Sequence, residues 1–189
     1  MQIKKQLNHE LSNLLSYIQL TVSDSDMDAA EKNNIQRWIK IATLFIFYEN
    51  LFSGRKLHFF KKDENIKPIL EIVTAINKPE FVKKKIAFKS QVQDFKANID
   101  SFLFRDAIDL LFKYLISKST SILLETYAKG KTISIKSEAV KEIKKSSLAK
   151  SLVRENLQNT EILLQLALEL FKRQRISVKI DRDRMILKL

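Results

Sequence analysis

The sequence predicts an α+β fold that opens with an antiparallel helical hairpin. Apolar residues recur at helical spacing on both sides of one short polar break. After position 54, short strand-like runs alternate with helices, and no repeat of roughly 20 to 50 residues organises them.

In the first helix Ile3, Leu7, Leu11, Leu14, Leu15, Ile18 and Val22 form the apolar stripe. The run Ser23-Asp-Ser-Asp-Met-Asp28 supplies turn and N-cap chemistry. A second helix is expected from about Ala30 to Phe52, with Ile35, Trp38, Ile39, Ala42, Phe45, Ile46 and Leu51 on its apolar face. Both stripes are too apolar for a lone hairpin in water, so pairing of two copies into a dimeric four-helix bundle is expected. The hairpin is assigned to residues 1–54 and a second domain to 55–189.

The second domain is expected to contain a short strand near Lys56 to Phe60, a helix from about Glu64 to Ile76, and a strand from Ile86 to Val92. A helix from about Ser101 to Ile116 follows, then strands Ser121 to Tyr127 and Thr132 to Ser137, read as a hairpin in which Gly130 supplies the positive φ. A Lys- and Ser-rich stretch leads to a helix from about Thr160 to Gln174. Strands Ile176 to Ile180 and Met185 to Leu189, turning at Asp181-Arg-Asp-Arg184, end the pattern.

Composition excludes several chemistries. The 189 residues carry 34 Lys and Arg against 22 Asp and Glu, a formal charge of +12, and 45% are hydrophobic, so the chain is expected to fold. With no cysteine, disulfides, thiolate metal sites and cysteine nucleophiles are ruled out. Gly54 and Gly130 are the only glycines, where average usage of about 7% would give roughly thirteen. A glycine loop that cradles phosphate needs several in close succession, so that class is excluded. The apolar run Ile41 to Tyr48 stops at Glu49, far short of the roughly 20 residues that span a bilayer, and a cytoplasmic location is expected.

Two histidines remain for chemistry. At about 100° per residue, with His9 at zero, Lys5, Asn13 and Ser16 fall within about 40° of it and the leucines lie opposite. His9 is therefore expected to face solvent; a surface histidine without a role has the same geometry. His58, in Leu57-His58-Phe59-Phe60, reads as packed or rim-exposed, and without a second nearby histidine no metal site is expected.

Asn8-His9-Glu10-Leu11-Ser12-Asn13 resembles the phosphoacceptor box of two-component histidine kinases, in which a His is followed by an acidic residue and, four positions after the His, by Thr or Asn. The element order after the hairpin is similar to a reduced form of that family's ATP-binding α/β sandwich. Asn98-Ile99-Asp100 before the helix resembles the approach to its asparagine-box helix, and Leu163 to Gln174 the helix before its last strands.

The chain departs from the family at every nucleotide box. Where the family places a magnesium-binding Asn, this sequence reads Asp109-Leu-Leu-Phe-Lys113-Tyr-Leu. The Asp-x-Gly-x-Gly box is absent between Ser137 and Thr160, and Ile162-Leu-Leu-Gln-Leu166 stands where a Gly-x-Gly is expected. The resemblance therefore implies a histidine phosphotransferase built on a degenerate kinase, with no bound cofactor of its own and magnesium supplied by a partner. His9 would exchange phosphoryl groups with response-regulator receiver domains, Glu10 would orient or deprotonate the ring, Asn13 would position a water or the phosphoryl group, and Lys5 would add positive charge. The alternatives are a nucleic-acid-binding protein, suggested by Lys83-Lys84-Lys85, Lys141, Lys144-Lys145 and the Lys172, Arg173, Arg175 cluster, and a purely structural dimer.

Overall fold

The computed structural model describes residues 14–29, 31, 32, 35, 36, 39, 42, 46, 59–143 and 159–189. The chain divides into two compact units, Met1–His58 and Phe59–Leu189.

In the first unit residues 14–24 are helical, and so are the described positions from 29 to 46. Leu15 and Ile18 are half-buried and Val22 is buried, as the stripe predicts, and Ile39 is buried from the second helical run. Leu14, which the expected stripe includes, is instead exposed, as are Tyr17 and Leu20. The polar break acts as expected: Asp28 Oδ1 accepts from the Glu31 amide at 2.9 Å, capping the second run.

The second unit contains β1 (Lys62–Asn65), α1 (Ile66–Lys83), β2 (Ala87–Gln91), β3 (Lys96–Ile99), α2 (Ser101–Lys118), β4 (Ser121–Tyr127), β5 (Thr132–Ser137), α3 (Glu138–Glu142), α4 (Asn159–Arg173), β6 (Ser177–Asp181) and β7 (Arg184–Lys188). Strands β1 and β3 pair antiparallel as a separate ribbon. The remaining strands form one sheet in the order β2-β4-β5-β7-β6, with β2 parallel to β4 and the other pairs antiparallel.

Strand alternation puts Ile122, Leu124, Ile133, Ile135, Met185 and Leu187 on one face, all buried, while Lys136 and Lys188 point the other way and are exposed. The covered face meets the helices, among which α2 touches both α1 and α4. Phe104, Phe112 and Phe171 fill that layer. Phe81 stacks on Phe88 at 4.6 Å between ring centroids, with Phe112 about 6 Å from each. The result is a two-layer α/β unit with one open sheet face.

Several expectations are corrected. No strand covers Phe59 and Phe60; the first strand begins at Lys62, and residues 56–58 lie outside the described residues. Strand β3 was not anticipated, because Lys96-Ala-Asn-Ile99 is too short and polar to stand out; its partner β1, not its own pattern, makes it a strand. Helix α1 starts two residues later than expected because Ile66 N–H donates to the Phe95 carbonyl and Lys67 N–H to Asp94 Oδ1, each at 3.0 Å, and Pro68 has no N–H to satisfy. It also continues through Pro79 to Lys83, since Pro79 lies on the exposed face while Phe81 anchors the last turn in the core.

The turn between β4 and β5 is corrected as well. Residues Ala128–Gly130 form one 3₁₀ turn, and the left-handed residue is Lys131, with φ 45°, not Gly130.

Candidate functional site

His9, Glu10, Asn13 and Lys5 lie outside the described residues, as does His58. The described helix begins at position 14, immediately after Asn13. What the structure does describe includes the helix where the asparagine box of the resembled family would stand, residues 137–143, and the helix from 159.

Helix α2 owes its start to Asp100. Its Oδ1 accepts from Leu103 N–H at 3.1 Å, the N-cap bond, and its Oδ2 from Phe60 N–H at 3.1 Å. Asp100 N–H in turn donates to Gln174 Oε1 at 3.0 Å, and Lys61 Nζ donates to the Gln174 carbonyl at 2.5 Å. Burial and the nearby Arg175 hold the Lys61 ammonium below the usual lysine range. Gln174 is buried, and its Nε2 has no hydrogen-bond partner among the described residues.

Two turns further along, α2 presents Asp109 and Lys113 on one flank, as i, i+4 spacing requires. Lys113 Nζ sits 2.6 Å from Asp109 Oδ2, and Asn77 Nδ2 of α1 donates to Asp109 Oδ1 at 2.9 Å. The Asp109 side chain is 10% exposed and that of Lys113 37%. Asn77 also donates to the Val73 carbonyl, so its amide is oriented by its own helix before it meets Asp109. This Asn77-Asp109-Lys113 set joins two helices through one ammonium, one carboxylate and one amide. Sequence reading placed Asp109 and Lys113 but missed Asn77, since 32 residues separate the partners.

At the end of β5, the chain turns directly into α3. The Ser137 hydroxyl hydrogen-bonds the Ser119 hydroxyl. The Glu138 carboxylate accepts from Thr120 N–H at 3.1 Å and from its hydroxyl at 2.8 Å, and these bonds hold it below the usual carboxylate range. Ala139 and Val140 are fully buried. In α4, Leu163, Leu164 and Leu166 are also buried. Side chains thus pack the described residues at the start of the first stretch where a glycine loop was sought, and those of the second in α4. Among the described residues no three His, Asp or Glu side chains come together as metal ligands. No helix there is long and apolar enough to cross a membrane.

Among solved structures, the chain is similar to the histidine kinase AdeS of Acinetobacter baumannii, with a TM-score of 0.57 and 11% identity over 93% of this chain and 91% of that one. It is similar to full-length ShkA, solved with AMPPNP, with a TM-score of 0.62 and 11% identity over 98% of this chain and 44% of that one. A mycobacterial sensor histidine kinase, MprB, matches with a TM-score of 0.53 and 8% identity over 67% of this chain and 93% of that one. The chain has a histidine-kinase-like fold.

No protein-family model and no curated protein matches the sequence. At these identities the likeness is one of fold. The histidine-kinase-like fold nevertheless accounts for the mixed sheet packed on a helix layer and for the helix that carries Asp109 and Lys113.

Proposed function

We propose that the chain is a histidine phosphotransferase of two-component signalling, passing a phosphoryl group between His9 and the aspartates of response-regulator receiver domains without an ATP-dependent kinase step of its own. The observation that carries the reading is the Asp109-Lys113 pair on α2 of a histidine-kinase-like fold. At the asparagine box, a magnesium-triphosphate would need an oxygen ligand, and this chain supplies there the Lys113 ammonium, which cannot ligate a cation and lies 2.6 Å from the Asp109 carboxylate. The packed turn from Ser137 to Val140 and the buried leucines of α4 likewise do not fit a loop that wraps phosphates.

In this mechanism a neutral ring nitrogen of His9 attacks the aspartyl phosphate of a receiver. The P–N bond forms as the P–O bond to the aspartate breaks, and the imidazole proton passes toward Glu10. Lys5 offsets negative charge on the transferred group, and Asn13 hydrogen-bonds it or places a water for its hydrolysis. Magnesium belongs to the receiver's acidic pocket. Two copies of the hairpin would form a four-helix bundle in the cytoplasm, with the second unit as scaffold or docking surface.

The test is incubation of the full chain with radiolabelled phospho-receivers. Label on the wild type as an acid-labile, base-stable phosphoramidate, absent from His9→Ala, is expected, as is no label from ATP alone. Labelling of His9→Ala, or no labelling of either, overturns the reading.

A further inference from the structure

At the end of the sheet where β5 runs into α3 beside the β6-β7 turn lies a cavity of about 560 Å³ lined by Lys136, Lys141, Asp181, Arg182, Asp183 and Arg184. Its cations come from four elements: β5, α3, the β6-β7 turn and β7. Lys136 and Arg184 are cross-strand partners, so both side chains leave the sheet on the same side, opposite the buried Ile135 and Met185. The lining counts four cations and two carboxylates, a surplus of 4 − 2 = +2.

The charges are unevenly committed. Asp183 meets Lys136 at 3.5 Å. Arg184 is fixed from outside the lining by Glu125 at 2.7 Å and by the Ser134 hydroxyl at 3.4 Å, which hold its guanidinium in place. Lys141 and Arg182 form no ion pair among the described residues, and neither does Asp181. Glu138, which Lys141 also faces, is engaged by Thr120. Arg182 sits in the two-residue turn with φ 53°, a region that glycine favours, so the fold holds a guanidinium at the rim at some conformational cost.

Among the described residues the lining contains no apolar or aromatic side chain, so a ligand here is recognised through its charge. The volume lies in the small-molecule range of about 300–1,000 Å³ and exceeds what one oxyanion fills. We propose that this cavity binds a diphosphate group, free or as part of a nucleoside diphosphate, with Lys141 and Arg182 as the main contacts and Lys136 and Arg184 completing the cradle. The proposal rests on the cavity alone and is independent of the role given to His9.

Calorimetric titration of the full chain with inorganic pyrophosphate tests it, beside the double variant Lys141→Ala, Arg182→Gly. Arg182→Gly relieves the positive φ and Lys141→Ala suits a helix, so the variant should fold, which circular dichroism checks. Saturable binding that weakens about tenfold or more in the double variant, and is largely restored by Arg182→Lys beside the native Lys141, is the expected result. ADP should bind within about threefold of pyrophosphate, since nothing in the lining grips a base. No saturable pyrophosphate binding, unchanged binding by the variant, or binding of ADP without pyrophosphate overturns the proposal.

Discussion

Helix α2 carries two buried aspartates that the protein uses in opposite ways. Asp100 accepts from two backbone amides, Phe60 and Leu103, and so fixes where the helix begins and ties the entering chain to it. Asp109 is held by side chains, Asn77 and Lys113 among them, and so joins helices and balances charge. Backbone donors cannot move away when the carboxylate is removed, whereas a side chain one-third exposed can return to water. The first aspartate therefore acts on folding, and the second on what the middle of the helix can bind.

Substitution can break this comparison. Asp100→Ala strands two amides and deletes an N-cap, so it should lower stability by about 3 kcal/mol, read as a shifted urea midpoint at unchanged slope. Asp109→Ala should cost less, about 2 kcal/mol, because Asn77 keeps its bond to the Val73 carbonyl and the Lys113 ammonium can rehydrate. Lys113→Met should cost about 1–2 kcal/mol, because it leaves the buried Asp109 carboxylate without its cation while the Asn77 amide still donates to it. If Asp109→Ala proves the more damaging of the two aspartate changes, the contrast drawn between them is wrong.

A third polar group on the same helix sharpens the distinction by pH. Tyr114 is buried, and burial together with Glu142 and Glu161 pushes its hydroxyl up to about 12. Its folded value lies above its unfolded value near 10, so the neutral phenol is favoured by folding. That stability is fully present below about pH 10 and is lost as the pH rises toward 12, by roughly 2 kcal/mol, and Tyr114→Phe should flatten the loss. Unfolding midpoints measured between pH 9 and 12 for the two proteins would show it.

The smallest expected effects have the opposite sign. Helices α1 and α4 end alike: Ile86 N–H donates to the Phe81 carbonyl and Ile176 N–H to the Phe171 carbonyl, each at 2.9 Å, around Lys85 at φ 53° and Arg175 at φ 61°. These are Schellman ends with a cation where glycine is usual. Lys85→Gly should stabilise by about 1 kcal/mol, and Arg175→Gly by slightly more because it also removes a charge facing Lys61. Thermal midpoints of the two variants measure the difference.

These same features show what could be read from the chain. Elements with a strong internal pattern were legible: β4 and β5 lie at their expected bounds, and α2 and α4 shift by two residues at most. Asp100 was singled out only through the family resemblance, and its N-cap bond to Leu103 comes from the structure. Strand β3, the Asp94 cap of α1 and the Asn77 partner of Asp109 were not legible, since each depends on a residue many positions away. The left-handed positions were sought at glycine and occur at Lys85, Lys131, Arg175 and Arg182. A glycine-poor, lysine-rich chain conceals its turns. In hindsight Phe81-Val-Lys-Lys-Lys-Ile86 and Phe171-Lys-Arg-Gln-Arg-Ile176 share one pattern that could have marked both ends.

The sheet order has a consequence for synthesis. Strand β7 lies between β5 and β6, so the sheet closes only when residues 184–188 have left the ribosome. Until then β5 presents an open edge, and Ile133 and Ile135 lack the Leu187 and Met185 that flank them in register. The nascent unit therefore waits with an exposed, pairing-competent strand, which is the species that holdase chaperones bind and that aggregates when synthesis stalls.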